Sequence, residues 1–160
     1  MTMTMNTFKI QNEVFKEYKK AWSKSKRLSF NNITLGKFGD NVVVVYRAVA
    51  AYIIPNSMFI LDMDKILDGV TPLSNPDSFF KKAWDGKVLN RKRIEFTEDG
   101  RELMVLSNDD LETYINRDYL KFFDDMEYVQ FRGVSSKDPV YVFDTYNGEE
   151  LIGMILPVRR

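Results

Sequence analysis

The chain has 160 residues, 44% hydrophobic and 14% aromatic, with 23 basic side chains against 23 acidic ones. That is enough apolar material to build a core and too much for a disordered chain. With no cysteine and no histidine, the composition excludes disulfides, thiolate or imidazole zinc sites, a Ser-His-Asp triad and a histidine general base.

Neutrality hides a split. Residues 1–97 hold 16 Lys and Arg against 9 Asp and Glu, while residues 98–160 hold 7 against 14. No apolar run reaches the ~18 residues of a membrane span. The stretch MTMTMNTFKI lacks the basic and apolar regions of a secretory signal. The expectation is one cytoplasmic domain over residues 1–160, without a membrane segment.

Residues 1–6 read as a flexible leader and Phe8-Lys9-Ile10 as a short strand. From Asn12, an acceptable N-cap, to Ser25 the pattern is helical. Val14, Phe15, Tyr18, Ala21 and Trp22 share an arc about 120° wide. Strand candidates follow at 28–35, at Val42–Val49 (VVVVYRAV) beyond a Gly-Asp-Asn turn, at Ala51–Ile54 and at Ser57–Leu61. A short helix is expected over Asp62–Gly69. Residues 71–90 read as an insertion with a helical turn or two in DSFFKKAW. Strands resume at Arg93–Thr97 and Glu102–Leu106. The run LETYINRDYLKFFDDM reads as an acidic helix within a second insertion, about 107–137. Tyr128–Phe131, Val140–Phe143 and Leu151–Leu156 are strands, the last two joined at Tyr146-Asn147-Gly148. The class is α+β, mainly antiparallel sheet with a few helices.

This order resembles a single domain of the bacterial DNA polymerase sliding clamp, a pair of β-α-β-β-β halves. FKIQNEVFKEYKKAW looks like the strand and helix of one half, as does SMFILDMDKILDGV. The segment LPVRR looks like the clamp's closing strand. Residues 71–90 and 107–137 depart from the pattern. The resemblance implies DNA contact by Lys16, Lys19, Lys20 and Lys24 on the first helix. It also implies a partner-peptide site at Met154, Leu156, Pro157, Val158 and Arg159. A lone clamp-type domain needs further copies of itself to encircle DNA.

The residues carry their own signals. Lys16, Lys20 and Lys24 lie in a row that suits phosphates, and Arg91, Lys92 and Arg93 join them if folding brings them close. Glu13 and Glu17 on the same face favour an ordinary solvated helix instead. Asp124, Asp125 and Glu127, with Asp109, Asp110, Glu112 and Asp118, form an acidic, aromatic-rich surface. Such a surface can imitate a phosphate backbone, as in small anti-CRISPR and anti-restriction inhibitors from phages and mobile elements. An amphipathic helix with core aromatics is the plainer alternative. Pro76-Asp77 with Asp85-Gly86-Lys87 spells a nuclease pattern, but the intervening run is too short for its hairpin. Asp62, Asp64 and Asp68 lack the Gly and Glu of a calcium loop. Trp22 and Trp84 read as core residues. The expectation is a binding protein without catalysis, cofactor or metal. It would associate with DNA or with DNA-processing proteins, or inhibit a host nuclease.

Overall fold

Helix formation starts earlier than a cap at Asn12 predicts. The computed structural model describes residues 5–25, 33–61 and 76–159, without the side chains of 21–25, 76 and 77. In it α1 runs over Thr7–Ser25. Asn6 explains the earlier start. Its Oδ1 accepts the Lys9 amide at 3.1 Å, the bond an N-cap makes to the third helical residue. The Ile10 amide then donates to the Asn6 carbonyl at 3.4 Å. The expected strand Phe8–Ile10 is therefore the first turn of the helix. The buried stripe rotates accordingly to Thr7, Ile10, Gln11 and Val14, and Phe15 faces out, 47% exposed.

Gln11 overturns a second expectation. Its buried amide donates to the Met58 carbonyl at 2.9 Å and accepts the Ile60 amide at 2.7 Å. With those backbone groups on a side chain, Ser57–Leu61 is not a strand, and Asn56–Met58 forms a 3-10 turn. The helix expected at 62–69 lies outside the described residues.

The chain divides into two compact units, Asn6–Ser78 and Phe79–Arg160, the latter with the first five residues. In the first, α1 precedes an antiparallel meander of β1 (Ile33–Phe38), β2 (Asn41–Tyr46) and β3 (Ala50–Pro55). Val42–Tyr46 and Ala50–Ile54 are buried throughout, which is why they read as unbroken apolar runs rather than alternating ones. The expected strand Val42–Val49 stops at Tyr46 because Arg47 and Ala48 both take φ of 55°. The Val49 amide donates to the Tyr46 carbonyl at 3.1 Å and closes a turn usually built with Asn or Gly.

The second unit is a six-stranded antiparallel sheet. Its strands are β4 (Lys87–Phe96), β5 (Glu102–Ser107), β6 (Glu112–Asn116), β7 (Val129–Gly133), β8 (Val140–Asp144) and β9 (Glu150–Ile155). They lie in the order β9-β8-β7-β4-β5-β6. The class is α+β, as the sequence predicts. The acidic helix is not present. Thr113, Tyr114 and Ile115 extend the sheet as β6. Asn116 then accepts the Asp118 amide and starts a 3-10 turn at Arg117–Leu120. Two further i to i+3 bonds, Phe123 to Leu120 and Met126 to Phe123, carry the chain on. They bury Leu120, Phe123 and Met126 at a spacing of three.

The segment after β9 crosses to the opposite edge of this sheet. The Val158 amide donates to the Tyr114 carbonyl of β6 at 2.7 Å. The six strands thus curl until their first and last edges are bridged, and β6 is not left as a bare edge.

Pairing of β4 with β7 depends on Gly133. A Cβ there would lie 2.9 Å from Leu89 Cδ1, and Leu89 is buried. Gly133→Ala is expected to destabilise the fold by about 1–3 kcal/mol through overpacking, measured by urea denaturation. An unchanged midpoint would show that Leu89 repacks freely.

Candidate functional site

Strand β4 carries the basic cluster KVLNRKR, and its geometry decides what those cations can do. Pairing with β5 slips by one residue between Arg91 and Arg93. A β-bulge re-aims side chains, and here it puts two consecutive cations on one face. Lys92 Nζ reaches Glu112 Oε2 at 2.6 Å and Arg93 reaches Glu112 Oε1 at 3.2 Å. Arg93 also meets Glu95 at 2.6 Å, and the Tyr114 hydroxyl donates to Glu112 at 2.9 Å. Lys87 pairs with Asp110 at 2.9 Å. The Arg91 guanidinium sits 5.3 Å from the centre of the Phe131 ring.

Proton affinities follow from these contacts. Lys92, then Tyr114, hold the Glu112 carboxyl down at about 2 against an ordinary 4.5. The hydrogen bond to Asp110 raises Lys87 above its usual value. The expected phosphate-binding residues Lys92 and Arg93 thus already face carboxylates.

On α1, Lys16, Lys19 and Lys20 are exposed, and Lys16 lies 3.9 Å from Glu13, the pairing their spacing predicts. The Lys24 side chain lies outside the described residues, as do those of Trp22 and Asp77 and all of Asp62, Asp64 and Asp68.

The acidic residues fall elsewhere than expected. Tyr119, Phe122 and Phe123 are core residues and cannot anchor a partner. Asp124, Asp125 and Glu127 are exposed. Asp124 and Glu127 line a groove of about 440 Å³ together with Leu89, Arg91, Gln130 and Phe131. The groove exists because β7 pairs with β4 only from Lys87 to Leu89. Beyond that point the two strands part, and the wedge between them stays open. Asp124 and Glu127 have no charged partner among the described residues.

The expected C-terminal partner site separates. Met154 is buried in the sheet, a correction that follows from its register opposite Tyr141. Leu156 is 37% exposed and Pro157 half-buried. Val158 and Arg159 line a cavity of about 380 Å³ with Glu112, Tyr114, Ser136 and Lys137.

Three features escape sequence reading. Val88, Ile94 and Phe96 are exposed on β4, Phe96 by 64%. Trp84, expected in the core, is 56% exposed, with its ring set edge-on to Phe143 at 5.0 Å. Arg132 is buried instead, its guanidinium 4.0 Å from the Phe143 ring and 2.9 Å from Glu149. Among the described residues no group of three carboxylates could hold a metal ion, and no helix is long and apolar enough to cross a membrane. No family model, curated protein or solved structure matches the chain.

Because the folded value of Glu112 lies below its ordinary one, its ionised form stabilises the fold above pH 4.5. That contribution is lost as pH falls from 4.5 toward 2. Glu112→Gln is expected to flatten the stability–pH curve in that window. A curve parallel to wild type in acid would show that Glu112 is not held by its neighbours.

Proposed function

We propose that the protein is a non-enzymatic binding protein that docks a cationic surface of a DNA-processing protein in the wedge between β4 and β7. The observation that carries this reading is the inequality of charge in the second unit. Lys87, Lys92 and Arg93 are matched by carboxylates, whereas Asp124 and Glu127 face an open groove beside one guanidinium. Unmatched charge exposed in a concave site recruits the opposite sign. Proteins that handle nucleic acid present cationic surfaces to phosphates, and these carboxylates imitate that target. This reading coincides with a small inhibitor of a host nuclease, the role that the acidic segment suggests.

The test is affinity capture from bacterial lysate. A protein partner is expected to persist after nuclease treatment and to be displaced by excess duplex DNA. Asp124→Lys combined with Glu127→Lys should abolish capture while leaving the melting temperature within a few degrees, as surface changes do. Undiminished capture by that variant would remove the groove from the mechanism.

A second reading, DNA contact in the manner of a clamp domain, is supported by Lys16, Lys19 and Lys20 exposed along α1. Two features weigh against it: the first unit opens on the helix rather than on a strand, and the second has no α-helix among the described residues. It predicts retention on duplex DNA at low salt, with the slope of log affinity against log salt falling by about 0.9 per lysine replaced by Ala. A chain that passes through a DNA column at low salt would rule it out.

A further inference from the structure

We propose that the outer edge of β4 is a self-association site, on which a second copy of this chain docks antiparallel about a two-fold axis at Ile94. This surface is independent of the carboxylates of the wedge.

The hairpin fixes which backbone groups face outward. The Thr97 amide donates to the Arg101 carbonyl at 2.9 Å, and the Gly100 amide donates to the Thr97 carbonyl at 3.0 Å. Gly100 takes φ of 86° to close this loop. Thr97 and Arg101 are thus a hydrogen-bonded pair, and hydrogen-bonded and non-hydrogen-bonded pairs alternate along an antiparallel ladder. The register Phe96 to Glu102, Glu95 to Leu103, Ile94 to Met104 then turns the backbone N–H and C=O of Ile94 and Phe96 away from β5. On that side β7 has already left, since it pairs only as far as Leu89. The same two residues are the exposed apolar ones, Ile94 at 40% and Phe96 at 64%. An edge with outward donors, outward acceptors and exposed apolar side chains is a template for another strand.

Charge selects the strand and its register. β4 reads Arg93-Ile94-Glu95-Phe96. Two copies paired antiparallel about Ile94 set Arg93 opposite Glu95 of the second copy, and Glu95 opposite Arg93, on one face. The Arg93–Glu95 pair that each chain makes within itself at 2.6 Å is thus extended across the axis into an alternating network of four charges rather than broken. On the other face Ile94 meets Ile94, with both Phe96 side chains diagonal to it. Outward groups must meet outward groups, so the pairing can slip only to registers that keep this alternation. A shift of the axis to Glu95 sets glutamate against glutamate, which is unfavourable directly across a ladder. The bulge at Arg91–Arg93 ends the straight edge and keeps the pairing short. A two-fold interface of this kind closes on itself and does not propagate into fibres.

The register makes the test specific. Wild type is expected to sediment as a concentration-dependent dimer. Arg93→Glu and Glu95→Arg each place like charges across the axis twice, so each alone should be monomeric. Mixed in equal amounts they complement each other at both positions and should form a heterodimer of twice the monomer mass. Ile94→Pro removes an outward amide without touching the β4–β5 ladder, a substitution that edge strands tolerate. It should be monomeric with an unchanged circular dichroism spectrum and melt. The proposal is overturned if wild type stays monomeric at its highest soluble concentration. It is equally overturned if Ile94→Pro dimerises like wild type, or if the charge-swapped pair fails to combine.

Discussion

Unequal pairing along β4 governs the second unit. One side of the strand is held by β5 from Asn90 to Phe96, the other by β7 only from Lys87 to Leu89. A strand held on both sides throughout would bury its backbone and half its side chains. This one is buried at Leu89 and exposed or half-exposed elsewhere. Close approach at the short contact is possible because Gly133 has no side chain to push Leu89 away. From that point the groove, the open edge and the cationic face all follow. The bulge between Arg91 and Arg93 adds the last element, because it turns two consecutive cations toward one carboxylate.

Pairing therefore matters more to function than composition does. Exposed ion pairs contribute little to stability, so the Lys92–Glu112–Arg93 cluster is not what holds the sheet together. Its consequence is local. A cation with a carboxylate at 2.6 Å must break that contact to bind a phosphate, whereas Asp124 and Glu127 lose only water on meeting a cationic partner. The same logic reduces the split of charge seen along the sequence. Lys81, Lys82, Lys87, Arg91, Lys92 and Arg93 fall in the basic half of the chain but belong to the unit beginning at Phe79. There they share a fold with the acidic segment. Residues 6–78 consequently carry 10 basic against 7 acidic side chains, and residues 79–160 carry 13 against 16.

Where local signals agreed with burial, the elements were legible. The runs VVVVY, LMVL and VYVF are β-branched or apolar and fully buried, and Asn147-Gly148 marks a hairpin whose Gly148 takes φ of 104°. Failures have physical causes of the opposite kind. VVVVYRAV hides a turn because Arg47 and Ala48 adopt a left-handed backbone that neither residue type announces. LETYINRDYLKFFDDM has apolar residues at spacings of three and four, and so passes for a helix. Its first third pairs with β5, and its remainder folds in turns of three. FKI passes for a strand because the cap that makes it helical, Asn6, lies two residues upstream of it. SMFIL loses its ladder to the side chain of Gln11, 49 residues from Ile60, a contact that no local pattern records. The site divided in the same way. Residue types were readable, so Arg91, Asp124 and Glu127 were all singled out. Their meeting in one groove depends on where β7 leaves β4, which is a tertiary property.

Strand edges tie these points together. A sheet must cover its unpaired backbone or meet another strand. The β6 edge is covered from within the chain, by the Val158 amide on the Tyr114 carbonyl. That bond gives the LPVRR segment a structural role of its own, since the Val158 backbone is engaged with its own sheet while its side chain lines a cavity. The outer edge of β4 has no such cover among the described residues, and its defences are incomplete. A bulge and three cations guard its middle, but Ile94 and Phe96 follow with outward amides and exposed side chains. The alternation Arg-Ile-Glu-Phe is poorly suited to repelling strands in general, because it carries both signs. It discriminates among them instead, favouring any strand that offers the same alternation in reverse, as a second copy of β4 does.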